Sequence, residues 1–403
     1  MMTALWKKIS LARNRIAKAV HRTPTVYSDT ISKLTGMEVF LKLENLQKAG
    51  SFKIRGAYYK MAQLSPSQRQ KGVVAASAGN HAQGVALASS LLGIHSTIVM
   101  PEGSSIAKQE ATRSYGGEVI FFGSSVDEAL DHAKELEKGG KILIHPFDDE
   151  DVIAGQGTIG LEILEDVPEI ETIIVPIGGG GLISGISTIV KKKNPHVKII
   201  GVESAHASSA IASLKKKKIV EVNIRPTLAD GIALRKVGEI PFPIIQEKVD
   251  EVVAVREDEI ASAILMLMER KRVVAEGAGA APLAALLSGR PKIREKRIVL
   301  VISGGNIDVH LLDRIIEKGL SQTGRVVRFE VLLRDIPGGL AKLTTLIAQN
   351  QANILHIIHE RAARDIPIGF SKVILILETR GPNHIREVRR DLKKQGYSIL
   401  TQS

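Results

Sequence analysis

The hydrophobic and polar residues of this chain divide it into two alternating kinds of segment. Short apolar runs of four to seven residues are bounded by glycine or polar residues and predict β-strands. The predicted strands are Glu38–Leu43, Gly72–Ala76, Ser96–Met100, Glu118–Phe122, Lys141–Ile144, Glu171–Ile177, Lys198–Glu203, Glu251–Val255 and Arg297–Ile302. Longer amphipathic stretches such as Asn80–Leu92 and Val126–Glu137 predict helices between them. This alternation is typical of α/β folds with mostly parallel sheets, whose sites form at the carboxyl ends of the strands.

The last part of the chain has a different order of predicted elements. They are a strand Val326–Leu333, a helix Leu340–Gln351, strands Ile354–Glu360 and Lys372–Glu378, a helix His384–Gln395 and a strand Ser398–Leu400. This βαββαβ order describes a unit that can fold alone. We therefore place a domain boundary near residue 322, between domains 1–322 and 323–403.

Composition and charge narrow the class of protein. No apolar run reaches the roughly 18 residues of a membrane span, and the N-terminus predicts an amphipathic helix rather than a signal peptide. The chain has no cysteine, which excludes disulfides and thiolate catalysis and suits a cytoplasmic protein. The net charge is +12, and its densest lysine runs, Lys191–Lys193 and Lys215–Lys218, follow helix-like stretches. Cations there complement the helix dipole, so we expect neither nucleic-acid nor membrane binding.

Four consecutive glycines, Gly178–Gly181, join a predicted strand to a predicted helix. Such a turn lets backbone N–H groups converge on an anion, and the helix start adds its dipole. The spacing matches neither the dinucleotide fingerprint nor the nucleotide P-loop. We interpret it as a phosphate-binding turn; the alternative is an ordinary tight turn.

Two more polar turns follow predicted strands. Ser77–Asn80 precedes a helix whose free amides suit a carboxylate, unless Ser77 or Asn80 simply caps that helix. Ser303–Asn306 contains two glycines that allow close approach of a ligand to the backbone, although a turn without a ligand explains them equally well.

The stretch AGSFKIRGAYYK, residues 49–60, predicts a helix with Ser51 as N-cap. Lys53 and Arg55 then fall in its first turn, where the helix dipole disfavours cations. A lysine there has a lowered pKa and can attack an aldehyde as a neutral amine. For Arg55 we expect an acidic partner such as Glu44. An amine, a phosphate site and a carboxylate site together describe pyridoxal phosphate with an amino acid.

The sequence resembles, over nearly its whole length, the fold-type II pyridoxal-phosphate enzymes, and within them the threonine dehydratases that carry a C-terminal ACT domain. The matching motifs are KLENLQKAGSFKIRGA, SAGNHAQGVA, GGGGL, TLADGIA, EGAGA and SGGN. The resemblance implies two open, mostly parallel α/β subdomains with the cofactor between them. The smaller subdomain would span about residues 45–145, and residues 323–403 would form the ACT domain.

The resemblance also implies a role for each motif residue. Lys53 would form the internal aldimine and move the α-proton, and the hydroxyl of Ser77 is a second catalytic candidate. Phe52 would pack near the ring, Asn80 would bind its oxygen, and Ser303 would contact the pyridine nitrogen. The phosphate would be held by Gly178, Gly179, Gly180, Gly181 and Leu182. The substrate would be bound by Ser77, Ala78, Gly79, Asn80, His81 and Gly231.

The implied reaction is β-elimination from L-threonine, which gives 2-oxobutanoate and ammonia, and from L-serine, which gives pyruvate. Serine racemase or serine dehydratase activity is the alternative, because Ser77 could return a proton to the opposite face. A non-catalytic amino-acid sensor is a further alternative, but it would not need Lys53. The preference between threonine and serine stays open.

The ACT-like tail would bind an amino-acid effector, isoleucine or valine, near Asp335, Gly338, Gly339 and Leu340, or would serve dimerisation alone. We expect a homodimer or homotetramer. Related racemases hold a divalent cation through a Glu, a backbone carbonyl and an Asp. Here Glu203 and Ala207 match the first two, but Ser209 stands in the place of the Asp. We therefore predict no metal site.

Overall fold

The computed structural model describes residues 2–362 and 365–402, which form two compact units, 1–308 and 309–403. The first unit contains ten strands. They are β1 Thr25–Tyr27, β2 Glu38–Leu43, β3 Val73–Ala76, β4 Ser96–Met100, β5 Glu118–Phe121, β6 Ile142–Leu143, β7 Thr172–Pro176, β8 Lys198–Ser204, β9 Glu251–Val255 and β10 Arg297–Ile302. All nine predicted strands are present within one residue at each end. The sequence pattern missed only β1, which is three residues long and pairs antiparallel at a sheet edge.

Thirteen helices belong to the described part of this unit. They are α1 Met2–Ile16, α2 Asp29–Thr35, α3 Lys53–Ala62, α4 Pro66–Lys71, α5 Asn80–Leu92, α6 Ile106–Ser114, α7 Val126–Lys138, α8 Glu150–Asp166, α9 Gly181–Lys193, α10 Ser209–Lys216, α11 Pro241–Lys248, α12 Glu257–Met266 and α13 Gly277–Ser288. The helix predicted at the N-terminus is α1. Within residues 2–362 and 365–402, no helix combines the length and apolar character that a membrane span requires.

The strands of the first unit form two sheets. The larger has the order β1-β2-β10-β7-β8-β9 and is parallel except for β1. The smaller has the order β5-β4-β3-β6 and is parallel throughout. Central strands such as β4 and β7 are buried along their whole length, as expected when helices cover both faces of a parallel sheet. The predicted fold class, two mostly parallel α/β subdomains, is confirmed.

The second unit begins with helix α14, Val309–Gln322, and contains an antiparallel sheet of order β12-β13-β11-β14. The further elements are β11 Val326–Arg334, α15 Gly339–Gln349, β12 Asn353–Glu360, β13 Phe370–Glu378, α16 Pro382–Lys394 and β14 Ser398–Gln402. This is the predicted βαββαβ order. The unit has its own core around Phe329, Val331 and Leu375. The division at 308/309 places α14 in the second unit, whereas our boundary at 322 lies at its end.

Candidate active site

The turns that follow the carboxyl ends of β3, β7 and β10 line one cavity of about 680 Å³ in the first unit. Every residue proposed for the cofactor or the substrate lies on its wall. These residues are Phe52, Lys53, Ser77, Ala78, Gly79, Asn80, His81, Gly178, Gly179, Gly180, Gly181, Leu182, Gly231 and Ser303. The cavity thus joins segments that are up to 250 residues apart in the chain, from Lys53 to Ser303.

Lys53 is the first residue of α3, and its N-cap is Phe52 rather than Ser51. The predicted Ser51 cap is wrong, because Ser51 instead forms a β-bridge with Gly304 and its hydroxyl is buried without a partner. The Lys53 amine donates a hydrogen bond to the carbonyl of Pro146 at 3.0 Å. Burial lowers the pKa of Lys53 to about 8, against the attraction of the Glu276 carboxylate. The predicted direction is right, but the main cause is burial rather than the helix end.

The glycine turn follows β7 and leads into α9, whose N-cap is Gly180 with a φ of 93°. The first amides of a helix have no partner within it, and Gly180 has no side chain that could accept from them. A side chain on Gly179 would overlap the ring of Phe147 at 2.2 Å, and one on Gly178 would contact Ile232 at 3.0 Å. Phe147 thus excludes a side chain at Gly179 and Gly181, Ile232 crowds Gly178, and the positive φ of Gly180 disfavours one there, which together explain the four consecutive glycines.

The turn after β3 presents a second helix start to the cavity. Gly79 is the N-cap of α5, and no side chain caps that helix. The simple interpretation, in which Ser77 or Asn80 caps it, is therefore wrong. The Ser77 hydroxyl instead accepts a hydrogen bond from the Gly79 amide at 3.1 Å. The amides of the first turn are left facing a cavity, which is the arrangement that favours an anion.

Asn80 lies in a hydrogen-bond chain that the sequence pattern did not reveal. Its Nδ2 donates to the Glu276 carboxylate at 2.6 Å, and its Oδ1 accepts from Asn306 at 2.7 Å. Glu276 is buried, which raises its pKa to about 7, and Asp230 adds to this rise, whereas Asn80, Lys108 and Lys53 oppose it. Glu276 is the acidic residue of the EGAGA motif. Its place in that motif was the one sequence signal that could have pointed to it.

An ion pair crosses the cavity between its two walls. Lys108 on α6 donates to Asp230 at 2.6 Å, in a turn of the larger subdomain next to Gly231. Burial opposes the charge of Lys108, but the Asp230 carboxylate holds the pKa of Lys108 above its usual range. Neither residue was predicted from the sequence, although Asp230 lies in the TLADGIA motif. The pair brings the smaller and larger subdomains into contact at this point.

Two histidines near Lys53 stay neutral at physiological pH. Burial and the neighbouring Lys53 lower the pKa of His81 to about 3, and its Nε2 donates to the carbonyl of Ile144 at 2.7 Å. Burial lowers the pKa of His145 to about 4, and its Nδ1 accepts from the Asp148 amide at 2.8 Å. Lys53 and Glu276 are therefore the groups lining the cavity whose pKa values lie closest to neutrality.

Two groups of residues from the sequence analysis lie outside this cavity, namely the proposed effector residues and the segment 203–209. The proposed effector residues lie in the second unit; they are Asp335, Gly338, Gly339 and Leu340. Gly338 is the N-cap of α15 and has a φ of 80°. The Asp335 carboxylate accepts a hydrogen bond from Arg361 at 2.9 Å. Both carboxylate oxygens of Glu203 accept backbone amides of α10, from Ala210 at 2.8 Å and Ile211 at 2.9 Å. Ser209 stands at the start of this helix. Glu203 thus stabilises the start of α10.

The polar groups that line the cavity match those that pyridoxal phosphate requires. An amine with a lowered pKa can take up an aldehyde, and an uncapped helix start with a glycine turn can hold a phosphate. The buried Ser303 hydroxyl supplies a neutral partner for a ring nitrogen. Gly79 has no atom within 4 Å of where its side chain would stand, which leaves open space beside the start of α5.

Comparison with known proteins agrees with this chemistry. Residues 16–304 match the family model described as pyridoxal-phosphate dependent enzyme, and residues 327–396 match the ACT domain. An L-threonine ammonia-lyase of Thermotoga maritima is 51% identical over 97% of this chain and 98% of its own. The processed form of threonine deaminase isoform 2 from Solanum lycopersicum has a TM-score of 0.75 and 40% identity, covering 78% of this chain and 93% of its own. Maize serine racemase has a TM-score of 0.74 and 39% identity, covering 78% and 98%.

The match to the first family spans most of the chain, and the Thermotoga maritima relative aligns over nearly all of it. The antiparallel second unit coincides with the ACT match. The chain therefore belongs to the fold-type II family of pyridoxal-phosphate dependent enzymes, in the group that contains the L-threonine ammonia-lyases, and it carries a C-terminal ACT domain.

Proposed function

We propose that this protein is an L-threonine ammonia-lyase, which converts L-threonine into 2-oxobutanoate and ammonia. The observation that carries the proposal is the half-buried Lys53 side chain, whose pKa is lowered to about 8, in one cavity with two uncapped helix starts. The 51% identity to an L-threonine ammonia-lyase over nearly the whole chain supports the choice of substrate. In the overall reaction, threonine loses its Cα proton and β-hydroxyl as water, and a second water then replaces the nitrogen with oxygen.

Pyridoxal phosphate, when bound, supplies the aldehyde that takes up the substrate amine and the ring that stabilises negative charge at Cα. The amides from Gly178 to Leu182 would hold its phosphate, and the α9 dipole would favour the negative charge. Phe52 and Ser303 would hold the ring, the latter through a neutral hydroxyl near the pyridine nitrogen. Asn80 would bind the ring oxygen.

The remaining residues act on the amino acid. The amides of the Ser77–His81 turn bind its carboxylate, and Gly231 leaves room for its side chain. Lys53, with a pKa of about 8, exists partly as a neutral amine near neutral pH and accepts the Cα proton.

The test is release of 2-oxo acid from L-threonine by the full-length, cofactor-loaded protein. Lys53→Ala should reduce this rate by at least about a hundredfold, because it removes the group that moves the proton. Lys60→Ala is the matched control, since Lys60 lies on the same helix and pairs with Asp149 at 2.8 Å outside the cavity. Release that is unchanged in Lys53→Ala contradicts the proposal.

We also propose L-serine as a slower substrate, with pyruvate as the product. Serine racemization is the second candidate, favoured by the Ser77 hydroxyl in the cavity and by the likeness to maize serine racemase. Chiral analysis of serine after incubation separates the two activities. D-serine that accumulates faster than pyruvate would favour the racemase, and Ser77→Ala should then abolish it.

For the second unit we propose an amino-acid effector, isoleucine or valine, bound near Asp335, Gly338, Gly339 and Leu340. The left-handed Gly338 at the start of α15 and the match to the ACT domain support this site. We further propose a homodimer or homotetramer, a cytoplasmic location and a role in isoleucine biosynthesis. Isothermal titration with isoleucine and with valine tests the effector, and analytical ultracentrifugation tests the assembly.

A further inference from the structure

Arg55 is fully buried two residues after Lys53, in the same first turn of α3. All three of its guanidinium nitrogens donate hydrogen bonds. Nε and Nη2 bind Glu44 at 2.8 Å each, and Nη1 and Nη2 bind Glu162 at 2.6 and 3.0 Å. Nη1 also reaches the Thr158 hydroxyl at 3.2 Å. One side chain thus connects α3 to α8 and to the turn that follows β2.

The buried cluster is electrically balanced. Lys42 donates to Glu162 at 2.6 Å, so within the cluster the two cations Lys42 and Arg55 face the two carboxylates Glu44 and Glu162. At its edge Lys42 also lies 3.6 Å from the Asp166 carboxylate, which is paired in turn with Arg22. Burial opposes ionisation of Glu44, but the Arg55 charge outweighs it and holds the pKa of Glu44 below its usual range. The pKa of Arg55 is held above its usual range by the same two carboxylates, against its burial. Glu44 and Arg55 therefore both stay ionised at neutral pH.

The backbone of the same turn is in close contact with two other helices. A side chain on Gly155 of α8 would lie 2.5 Å from the Arg55 carbonyl, and one on Gly84 of α5 would lie 3.0 Å from the Ile54 amide. These contacts restrict how far the turn moves sideways. The paired hydrogen bonds of Arg55 add directional constraints to this packing.

Stability alone does not account for the cluster. Desolvation of buried charges consumes most of what their attraction supplies, so well-packed apolar residues would stabilise the fold as well or better. The directional bonds of a guanidinium instead define one orientation. We propose that Arg55, held by Glu44 and Glu162, is a positioning residue that orients the first turn of α3 so that the Lys53 amine points into the cavity. The inference rests on the proposed role of Lys53.

The test compares Arg55→Lys with Arg290→Lys in the full-length protein. Arg290 also makes a double contact with one carboxylate, Glu259, at 2.6 and 2.7 Å, but outside the cavity walls. A double variant, Arg55→Met with Glu162→Gln, removes one positive and one negative charge and so leaves the net charge of the cluster unchanged. It is the variant to measure if Arg55→Lys fails to fold. Thermal unfolding of each variant shows how far folding itself is affected.

Two measurements separate orientation from stability. The first is the split between kcat and KM for L-threonine. The second is independent of turnover: pyridoxal phosphate is added to cofactor-free protein at different pH values, reduced with borohydride, and the label on Lys53 is counted by peptide mass spectrometry. Glu276, His81 and His145 are the titratable groups that interact electrostatically with Lys53, and they stay unchanged in every variant.

We expect Arg55→Lys to lower kcat by about ten- to a hundredfold with little change in KM, as a small displacement of a reacting group does. The pH midpoint of labelling should rise from about 8 towards the ordinary lysine value of 10.5, because a reoriented amine gains water. Arg290→Lys should leave both unchanged. An Arg55 variant that folds with wild-type kcat and labelling midpoint overturns the proposal. Lys53→Ala that is still labelled at the same peptide would overturn the role of Lys53 itself.

Discussion

At the scale of single residues, the chemistry of the cavity depends on two groups whose pKa values move towards each other. Burial lowers the pKa of the Lys53 amine to about 8 and raises that of the Glu276 carboxyl to about 7. Each charge also favours the other, because a carboxylate near an ammonium stabilises both ionised forms. Near neutral pH a proton can therefore leave or join either group at small cost.

Replacing Glu276 by Gln removes the one carboxylate that raises the pKa of Lys53. The protonated amine then loses a favourable charge, so its pKa should fall below about 8 and the labelling of Lys53 by pyridoxal phosphate should start at lower pH. Glu203→Gln is the control, because Glu203 is also buried with a pKa raised to about 7 but lies at α10. A midpoint that stays in place or rises after Glu276→Gln would contradict this account.

At the scale of elements, the helix starts and the glycine contacts decide what the cavity can bind. The alternation of apolar and polar segments predicted every strand of the two sheets except β1, and the turns at the carboxyl ends of the strands predicted part of the cavity wall. The cap of α3, the Glu276–Asn80 contact and the Lys108–Asp230 pair could not be predicted. The two side-chain contacts join residues far apart in the chain, and the cap of α3 moves to Phe52 because Ser51 pairs with the distant Gly304. Such partners depend on tertiary structure that local patterns do not contain.

The crossing of α3 and α8 should be intolerant of any side chain at Gly155. Gly155→Ala places a methyl group 2.5 Å from the Arg55 carbonyl, so the helices must separate, and we expect the free energy of unfolding to fall by about 1–3 kcal/mol. Gly103→Ala, which has open space and no positive φ, should change it by less than about 0.5 kcal/mol. Urea unfolding measures both variants, and equal stabilities would refute this explanation of Gly155.

At the scale of the whole molecule, the chain consists of two units with separate cores. The order of strands and helices after residue 325 predicted the second unit, because each of its apolar faces is complete within that segment. The sequence could not predict whether α14 belongs to the first or the second unit, because an amphipathic helix next to a boundary can pack on either side. Its contacts assign it to the second unit.

The segment 309–403 should therefore fold without the rest of the chain. A single cooperative thermal transition, followed by circular dichroism, is the expected result. Phe329→Ala in this segment should lower its stability by about 3–5 kcal/mol, because Phe329 is fully buried at the centre of its core. An exposed position such as Leu355→Ala should have a small effect. A transition that is broad and insensitive to Phe329→Ala would show that the segment needs the first unit to fold.

The Lys108–Asp230 ion pair has a consequence for the movement of molecules through the protein. Asp230 is 59% exposed, so solvent and salt screen the pair, and such pairs contribute at most about 1 kcal/mol. The attraction between the two side chains is therefore no more than about twice the thermal energy. Separating the two side chains of this pair is therefore a frequent thermal event rather than a rare one. The pair therefore adds little to the free-energy barrier for molecules that enter or leave the cavity past this wall.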